Sequence, residues 1–478
     1  MNVPSFEFLA FAAVISVAIN VGRGEFWRKL VLLVANIAFL TTFAREGIAY
    51  LPFFVFVSLG FVLVRLLQVR QSKALFVTGI VGLVTAFCWI KRYSFVPTSF
   101  DVPFLYVTIG LSYVFFRIVH LAIDAQERAL PVRVGIVSYV NYTLNFTSLV
   151  AGPIQLYDDY HRSEGAEPLP LDLRSCSVAL GRIILGFFKV AIVSPVLAAG
   201  QDRAIVQLSI AQPTFERAAD LAVVIATFAV FLYANFSGYT DFVIGVARFL
   251  RIELPENFNH PFDARGFIEL WSRWHITLSQ WLKTYVYSPL LLALLRRFPE
   301  RTFEPYLAVF AYFVTFFLVG VWHGQTQMFL FFGVLQGFGV SVNKLYQIIM
   351  TKRLGRVRYR ALNAQPLYVA ALRGLTITWF AFTLIWFWAS WQQLRGLASE
   401  AGPVAVIAGL ALLYVGVTAA LVVVTACETR FRSVVSTHAF ASARPYVQTA
   451  WFATLAVILI SATVVLNAPA PRIVYKGF

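Results

Sequence analysis

Residues 305–324 read PYLAVFAYFVTFFLVGVWHG, an apolar run that closes on a polar motif. The part from 305 to 320 carries no charged side chain and approaches the roughly 20 apolar residues that a membrane-spanning helix needs. The run ends on Gly320, Trp322, His323 and Gly324, so a histidine directly follows apolar sequence. Ionisable groups at membrane depth are costly and are functional candidates for that reason. The stretch therefore predicts a membrane helix with a candidate site at its end.

The composition extends this prediction to the whole chain. Of 478 residues, 59% are hydrophobic and 13% are charged, whereas soluble domains carry about 25% charged residues. Apolar runs that suit membrane helices recur at residues 6–22, 30–43, 49–64, 74–90, 103–122, 134–150, 176–199, 219–247, 305–320, 327–343, 368–391, 403–426 and 449–467. We therefore expect an all-α polytopic membrane protein with about 10–13 membrane helices. No repeat of fixed period is visible, which disfavours a transporter built from two inverted halves.

The charge balance has two interpretations. The net charge of +16 comes from 39 Lys and Arg residues against 23 Asp and Glu residues. The positive-inside rule explains basic loops as cytoplasmic, including the richest of them at 352–360. Alternatively, part of the charge attracts an anionic partner such as a phosphorylated donor or an acidic carrier protein. The three cysteines are scattered in apolar runs, so they predict neither a disulfide framework nor a metal site.

The segment that precedes the apolar run is amphipathic. Between 267 and 287, five residues fall on a single face of a predicted helix: Trp271, Trp274, His275, Leu278 and Leu282. Trp281 lies at the edge of that face. Tryptophans together with a basic polar face are typical of a helix that lies in the membrane interface or enters a cavity. The polar stretch 155–175 is also too hydrophilic to span, so it lies at the membrane surface or lines a cavity.

Two histidines and one carboxylate are the candidate polar groups. A neutral imidazole at His323 suits the removal of a proton from a hydroxyl that then attacks a carbonyl. The alternative for His323 and for His275 is a buried histidine that simply hydrogen-bonds to its neighbours. Asp241 lies within an apolar run, where an ion pair with Arg182, Lys189 or Arg248 would explain it. The zinc motif HExxH, the hydrolase motif GxSxG and the phosphate-binding P-loop are all missing from the sequence.

A set of motifs resembles the membrane-bound O-acyltransferase family. They are Gly110-Leu111-Ser112-Tyr113, Ala151-Gly152-Pro153-Ile154, Phe236-Ser237-Gly238-Tyr239-Thr240-Asp241, Glu256-Asn257-Phe258-Asn259, Trp271-Ser272-Arg273-Trp274-His275-Ile276 and Trp322-His323-Gly324. Each is weak alone, but they occur in the family's order across residues 100–345. They resemble most the bacterial branch, which includes proteins of alginate O-acetylation and of D-alanyl transfer to lipoteichoic acid.

The resemblance implies a helical bundle around a tunnel, with His323 as the catalytic histidine and His275 at the second, upstream position. It also implies that an acyl group, acetyl in the first instance, passes from a cytoplasmic thioester to a hydroxyl outside the cytoplasm. That hydroxyl belongs to an envelope polysaccharide or to a relay protein. The residues expected to line the tunnel are Trp322, Trp274, Asn257, Trp271 and Trp281. Asp241 and Arg273 are expected to brace the site.

The expected setting is a multi-pass protein of the cytoplasmic (inner) membrane. Its expected regions are N-terminal helices at 1–100, a catalytic core at 101–345, and a basic cytoplasmic loop with C-terminal helices at 346–478. The expected donor is an acyl thioester of coenzyme A or of a carrier protein. We expect membrane lipid as a partner. We expect no tightly bound cofactor, no metal ion and no nucleic acid.

Departures from the family pattern leave alternatives open. Tyr287-Ser288-Pro289-Leu290 is followed by Leu291-Leu292 rather than by a Gly-Gly loop, which resembles the D-alanyl transferases more than the acetylation proteins. Gln336-Gly337 stands where a His-Gly pair is common. A D-alanyl or other acyl transfer from a carrier protein to a teichoic-acid-like polymer is one alternative. From other classes, the alternatives are a secondary transporter whose histidines and Asp241 relay protons, and a non-catalytic scaffold of a polysaccharide export complex.

Overall fold

The described residues are mostly helical. A computed structural model describes residues 1–22, 24–165, 169–210, 213–435 and 438–466. Within these ranges the only β-pairing is an isolated bridge between Phe258 and Trp274. The prediction of an all-α membrane protein is confirmed.

Twenty α-helices account for the described structure. The first ten are α1 Phe6–Val21, α2 Glu25–Leu40, α3 Leu51–Val69, α4 Lys73–Ile90, α5 Leu111–Glu127, α6 Ile136–Thr143, α7 Tyr157–Glu164, α8 Leu173–Phe188, α9 Ser194–Leu208 and α10 Thr214–Phe249. The second ten are α11 Phe267–Arg273, α12 Ile276–Leu282, α13 Ser288–Arg297, α14 Glu304–His323, α15 Gln327–Leu362, α16 Pro366–Thr383, α17 Ile385–Trp388, α18 Trp391–Ala401, α19 Pro403–Val435 and α20 His438–Leu466. Single π-helical turns follow α8 and α12, at Lys189–Val193 and Lys283–Tyr287.

Eight helical segments of the described chain are long and apolar enough to cross a membrane. They are Gly47–Val69, Lys73–Ile90, Leu173–Leu208, Thr214–Phe249, Glu304–His323, Gln327–Leu362, Pro366–Trp388 and Pro403–Phe431. Two shorter apolar helices, Phe6–Val21 and Tyr446–Ala462, bring the apolar helices to ten. Many large apolar side chains on these helices are exposed, among them Val14, Val81, Ile407 and Val423. Exposed apolar surface of this kind suits a lipid environment.

The helices form two compact units. Of the described residues, the first unit comprises those within 1–191, 236–256 and 463–466, and the second comprises those within 192–235 and 257–462. Both candidate histidines, His275 and His323, therefore belong to the second unit, and Asp241 belongs to the first. The sequence-based division at residues 100 and 345 stays a prediction, and the end of its last region, 467–478, lies outside the described residues.

A buried arginine organises the first unit. Arg117 on α5 is 1% exposed, and its guanidinium donates hydrogen bonds to the carbonyls of Tyr142 (3.0 Å), Thr143 (2.9 Å) and Ser148 (3.2 Å). It also donates to the Ser148 hydroxyl at 2.7 Å. Tyr142 and Thr143 are the last two residues of α6 and Ser148 lies beyond it, so a single side chain satisfies backbone groups at a helix end that would otherwise be buried without partners.

The polar stretch 155–175 contains a short helix with a buried inner face. α7 buries Tyr157, Tyr160 and Glu164, and Glu164 accepts hydrogen bonds from Asn141 (3.1 Å) and from the Tyr160 hydroxyl (3.3 Å). The stretch is not among the candidate membrane spans, as predicted, and its buried Glu164 is held by neighbouring polar groups of the first unit. Residues 166–168 of this stretch lie outside the described residues.

Candidate functional site

His323 is the last residue of α14 and is enclosed by aromatic rings. Its side chain is 2% exposed. The centre of the imidazole lies 4.7 Å from the Trp322 ring, 5.0 Å from the Phe387 ring and 5.9 Å from the Phe332 ring. These neighbours come from three helices of the second unit, α14, α15 and α17. The histidine at the end of the apolar run is thus held in an apolar aromatic shell.

A glycine contact fixes the two long helices that carry this shell. A Cβ atom added to Gly320 would lie 2.2 Å from the Cα of Gly333 and 2.5 Å from the carbonyl oxygen of Phe329. The backbones of α14 and α15 therefore touch, which only glycine permits at this position. The contact lies one turn before His323, so it sets the position of the imidazole relative to Phe332.

The segment around His275 differs from the prediction. A single amphipathic helix from 267 to 287 was expected, but the chain forms α11 and α12 with a break at Trp274 and His275. Trp274 is extended, and His275 adopts a left-handed conformation with φ 46° and ψ 52°. Histidine is among the residue types found there more often than most. The prediction of one continuous helix is wrong.

Long-range backbone hydrogen bonds explain the break. The amide of Asn259 donates to the carbonyl of Arg273 at 2.9 Å, and the amide of Ile276 donates to the carbonyl of Asn257 at 3.0 Å. These bonds replace helical ones, because a backbone amide that donates to a distant carbonyl does not continue the helix. The predicted apolar face is nevertheless buried, since Trp274 and Leu278 are 2% and 0% exposed.

The side-chain amide of Asn257 orients the His275 ring. Its Oδ1 accepts hydrogen bonds from the Thr277 amide at 3.1 Å and from the Thr277 hydroxyl at 2.8 Å, and His275 Nδ1 lies 3.3 Å from the same oxygen. A backbone N–H can only donate, so the atom that faces it is the amide oxygen. His275 Nδ1 therefore carries the hydrogen, and the lone pair of the neutral ring is at Nε2.

His275 stays neutral because it is fully buried. Burial lowers its pKa to about 3, from an ordinary value of 6.5. Its ring centre lies 6.2 Å from the Trp322 ring, which itself contacts His323. The second unit thus holds both histidines against one tryptophan.

We expect His275 to make the folded protein less stable in acid. In the unfolded chain the imidazole takes up a proton as the pH falls through 6.5, but in the folded protein it stays neutral down to about 3. Between these two pH values the unfolded state binds more protons than the folded state. The contribution of His275 to the free energy of unfolding is therefore fully present above pH 6.5 and is lost as the pH falls. Between pH 7 and pH 5 the loss is about 2 kcal/mol. The measurement is the thermal unfolding midpoint in detergent at both pH values.

The matched comparison is between wild type and His275→Gln. The midpoint of the wild type should fall more steeply towards pH 5 than that of the variant, which lacks the titrating group. His260→Asn, which removes an exposed imidazole at a left-handed position that asparagine tolerates, controls for the loss of a histidine from this region. Equal slopes for wild type and His275→Gln would contradict a neutral, buried His275.

The other predicted lining residues form an aromatic layer in the second unit. Trp274 packs against Phe380 (4.9 Å between ring centres) and Phe258 (5.1 Å), while Trp271 packs against Phe316 (5.2 Å). Trp281 contacts Tyr285 at 5.1 Å. All three tryptophans are at most 6% exposed.

The two predicted bracing residues lie in ion pairs. Asp241 pairs with Arg182 at 2.9 Å and with Lys189 at 2.8 Å, and Arg182 also pairs with Glu256. Arg273 pairs with Glu269 one turn earlier at 2.9 Å. Asp241 and its partners lie in the first unit, whereas Arg273 lies in the second.

Three residues beside the histidines escaped the sequence analysis. Phe332 and Phe387 contact His323, but apolar residues in apolar helices carry no signal that separates them from ordinary core. Thr277 donates twice to Asn257, and its position two residues after His275 is the one hint that the sequence offers. Among the described residues, no three His, Cys, Asp or Glu side chains come together as metal ligands would.

The profile of the membrane-bound O-acyltransferase family matches residues 85–387 of the chain. This is more than half of the sequence, and it includes both histidines and Phe387. The chain belongs to the membrane-bound O-acyltransferase family. Family membership makes it a multi-pass membrane enzyme that transfers acyl groups to hydroxyls.

Three similar proteins are named for O-acetyl or D-alanyl transfer. A probable alginate O-acetylase from Pseudomonas aeruginosa is 25% identical over 409 residues, which are 77% of this chain and 72% of that protein. A peptidoglycan O-acetyltransferase from Helicobacter pylori is 32% identical over 220 residues, 44% of this chain and 37% of that protein. A teichoic acid D-alanyltransferase from Streptococcus thermophilus is 26% identical over 253 residues, 52% of this chain and 59% of that protein. The chain thus spans well under two thirds of the last two relatives.

Proposed function

We propose that this acyltransferase moves an acyl group from a cytoplasmic thioester to an extracytoplasmic hydroxyl, and that this group is acetyl. The hydroxyl belongs to an envelope polysaccharide or to a relay protein, and the membrane is the cytoplasmic one. The observation that carries the proposal is His323, buried in an aromatic shell at the end of an apolar membrane helix. Two of the relatives quoted above are named for O-acetyl transfer, which favours acetyl.

His323 acts as the general base in this proposal. It takes the proton of the acceptor hydroxyl while the hydroxyl oxygen attacks the thioester carbonyl carbon and forms the new C–O bond. The C–S bond then breaks, and the leaving sulfur takes the proton back from the imidazolium. A histidine in this role contributes about 10²–10⁴-fold to the rate. The apolar shell keeps water away, so the thioester is passed to the acceptor rather than hydrolysed.

His275 and the tryptophans would position the donor. His275 is held in one tautomer by Asn257, so its Nε2 presents a fixed lone pair. Trp322 touches both histidine rings, and Trp271, Trp274 and Trp281 provide flat apolar walls for a thin acyl-thioester chain. Asp241 and Arg273 would act at a distance by bracing their helices through ion pairs.

A D-alanyl transfer is the second candidate. A relative with 26% identity is named for it, and the sequence after Tyr287 resembles that group. The two candidates differ in the donor as well as in the acyl group, because the second takes it from a loaded carrier protein. The secondary transporter and the scaffold lose their support now that the chain belongs to an enzyme family.

The test uses membranes from producing cells, permeabilised with detergent so that donor and envelope acceptors reach both faces. Labelled acetyl-coenzyme A is supplied in one arm and a D-alanyl-loaded carrier protein in the other. We expect alkali-labile label in the envelope fraction from acetyl-coenzyme A, and background label in membranes that carry His323→Ala. If label were transferred from the carrier protein and not from acetyl-coenzyme A, the proposed acyl group would be D-alanyl instead of acetyl. Absence of label in both arms would contradict the proposed function.

A further inference from the structure

In the side-chain amide of Asn257 the oxygen is hydrogen-bonded within the described part of the chain, whereas the nitrogen is not. Its Oδ1 faces three donors, two from Thr277 and one from His275, so the orientation of the amide is fixed. Its Nδ2 is fully buried and donates to no acceptor among the described residues. Asn257 as a whole is 0% exposed. The amide therefore presents two N–H hydrogens to the protein interior beside the His275 ring.

An unused donor of this kind is costly. A buried N–H without an acceptor has lost its hydrogen bonds to water with nothing in their place, and most buried polar groups of native proteins have a partner. A structural role in holding α12 does not explain the buried Nδ2, because the contacts of Asn257 with Thr277 and His275 all involve Oδ1. The nitrogen is therefore available to donate to a ligand atom with a lone pair.

We propose that Asn257 is a catalytic residue, whose Nδ2 donates a hydrogen bond to the carbonyl oxygen of the donor thioester. This inference rests on the proposed function. Attack by a hydroxyl on a thioester converts the carbonyl oxygen into an oxyanion, and a fixed N–H donor in a dry site stabilises that charge. The Asn257 amide contacts His275, and His275 packs against Trp322, the tryptophan that precedes His323. The proposed N–H donor and the proposed base are thus linked within the second unit through His275 and Trp322.

The step balances without any further reactant. The acceptor oxygen forms a bond to the carbonyl carbon, its proton goes to His323, and the electron pair of the C=O π bond moves to the oxygen that Asn257 Nδ2 binds. When that pair returns, the C–S bond breaks and the thiolate takes the proton from His323. Asn257 gains and loses no proton.

The first test is Asn257→Asp, measured in the permeabilised membranes with labelled acetyl-coenzyme A at saturating concentration. The variant keeps an oxygen for Thr277 and His275 but has no N–H at neutral pH. Removal of an oxyanion donor lowers a rate by about 10²–10³-fold, and we expect a loss of this size with little change in the donor concentration that half-saturates the rate. Asn259→Asp makes the same change at an exposed position of the same segment and should keep the wild-type rate.

A pH profile separates a donor from a brace. Aspartic acid at 257 donates a hydrogen bond only when it is protonated, and the protonated fraction grows as the pH falls. The rate of Asn257→Asp relative to wild type should therefore rise from pH 8 to pH 5. Asn257→Ala, which adds no charge and cannot donate at any pH, should be as slow as Asn257→Asp at pH 8 and show no such rise.

The outcomes are distinct. A rate within threefold of wild type for Asn257→Asp or Asn257→Ala would overturn the assignment, as would parallel pH profiles for the two variants. A Thr277→Val variant removes a hydroxyl donor to Oδ1 but leaves Nδ2 in place. If it were as slow as Asn257→Asp, the amide would be a brace only. A wild type that transfers label from neither donor would overturn the proposed function itself, and the inference with it.

Discussion

Replacing His323 with alanine is expected to lower acyl transfer at least 100-fold while the protein still inserts into the membrane. The imidazole lies in an aromatic shell built by Trp322, Phe332 and Phe387. None of these three rings can accept a proton in its place, so loss of the base removes its contribution of about 10²–10⁴-fold. The rate is measured with labelled acetyl-coenzyme A in permeabilised membranes, at equal amounts of protein.

Two further variants separate chemistry from packing. His323→Gln keeps most of the side-chain volume, so it should be as inactive as His323→Ala but closer to wild type in its thermal midpoint. His260→Asn removes an exposed imidazole at a left-handed position that asparagine tolerates, and it should keep full activity. Activity above a tenth of wild type in His323→Gln would speak against His323 as the base.

The second large effect is expected from Gly320→Ala. The added methyl group would lie 2.2 Å from the Cα of Gly333, so α14 and α15 must move apart along their whole contact. Overpacking of this kind typically costs 1–3 kcal/mol, and here the obstacle is backbone that cannot rotate away. His323 lies three residues further along α14, so its shell with Phe332 should open as well. We expect a clear fall in thermal midpoint and at least a tenfold loss of transfer, since a displacement of 1 Å can cost about 10²-fold.

Gly416→Ala is the matched control. Gly416 lies in the long apolar helix α19 of the same unit, and a Cβ atom there would meet nothing within 4 Å. Because alanine favours a helix over glycine by roughly 1 kcal/mol, this variant should be as stable as wild type or more so. If Gly320→Ala and Gly416→Ala behaved alike, the close contact of α14 with α15 would not be what positions His323.

The sequence predicted the helices well because the membrane imposes one simple rule. Any segment in hydrocarbon must satisfy its backbone internally, so a long apolar run such as 305–320 has few alternatives to a helix. In the region 267–287 the backbone is not satisfied within a single helix. Apolar residues recur there with the period of a helix, yet backbone hydrogen bonds between 257–259 and 273–276 interrupt the helix at His275. A pairing between segments some 15 residues apart leaves no mark in the local period, so the break could not be predicted.

For the candidate site, polar residues carry a clearer sequence signal than apolar ones. His275, His323 and Asn257 stand out in an apolar chain, and the structure places them with Trp322 in one unit. Phe387 does not stand out from its sequence neighbours in this way, because it lies in α17 among other aromatic residues. The fixed tautomer of His275 is equally invisible in the sequence, since it depends on which end of the Asn257 amide faces Thr277.

The most direct test of the central claim is the ester content of envelope glycans in living cells. Mass spectrometry would compare cells that produce wild type with cells that produce His323→Ala at the same protein level. Our account predicts an O-acyl ester, acetyl in the first instance, that is present with wild type and lost with the variant. An unchanged ester profile would contradict a role for His323 in acyl transfer.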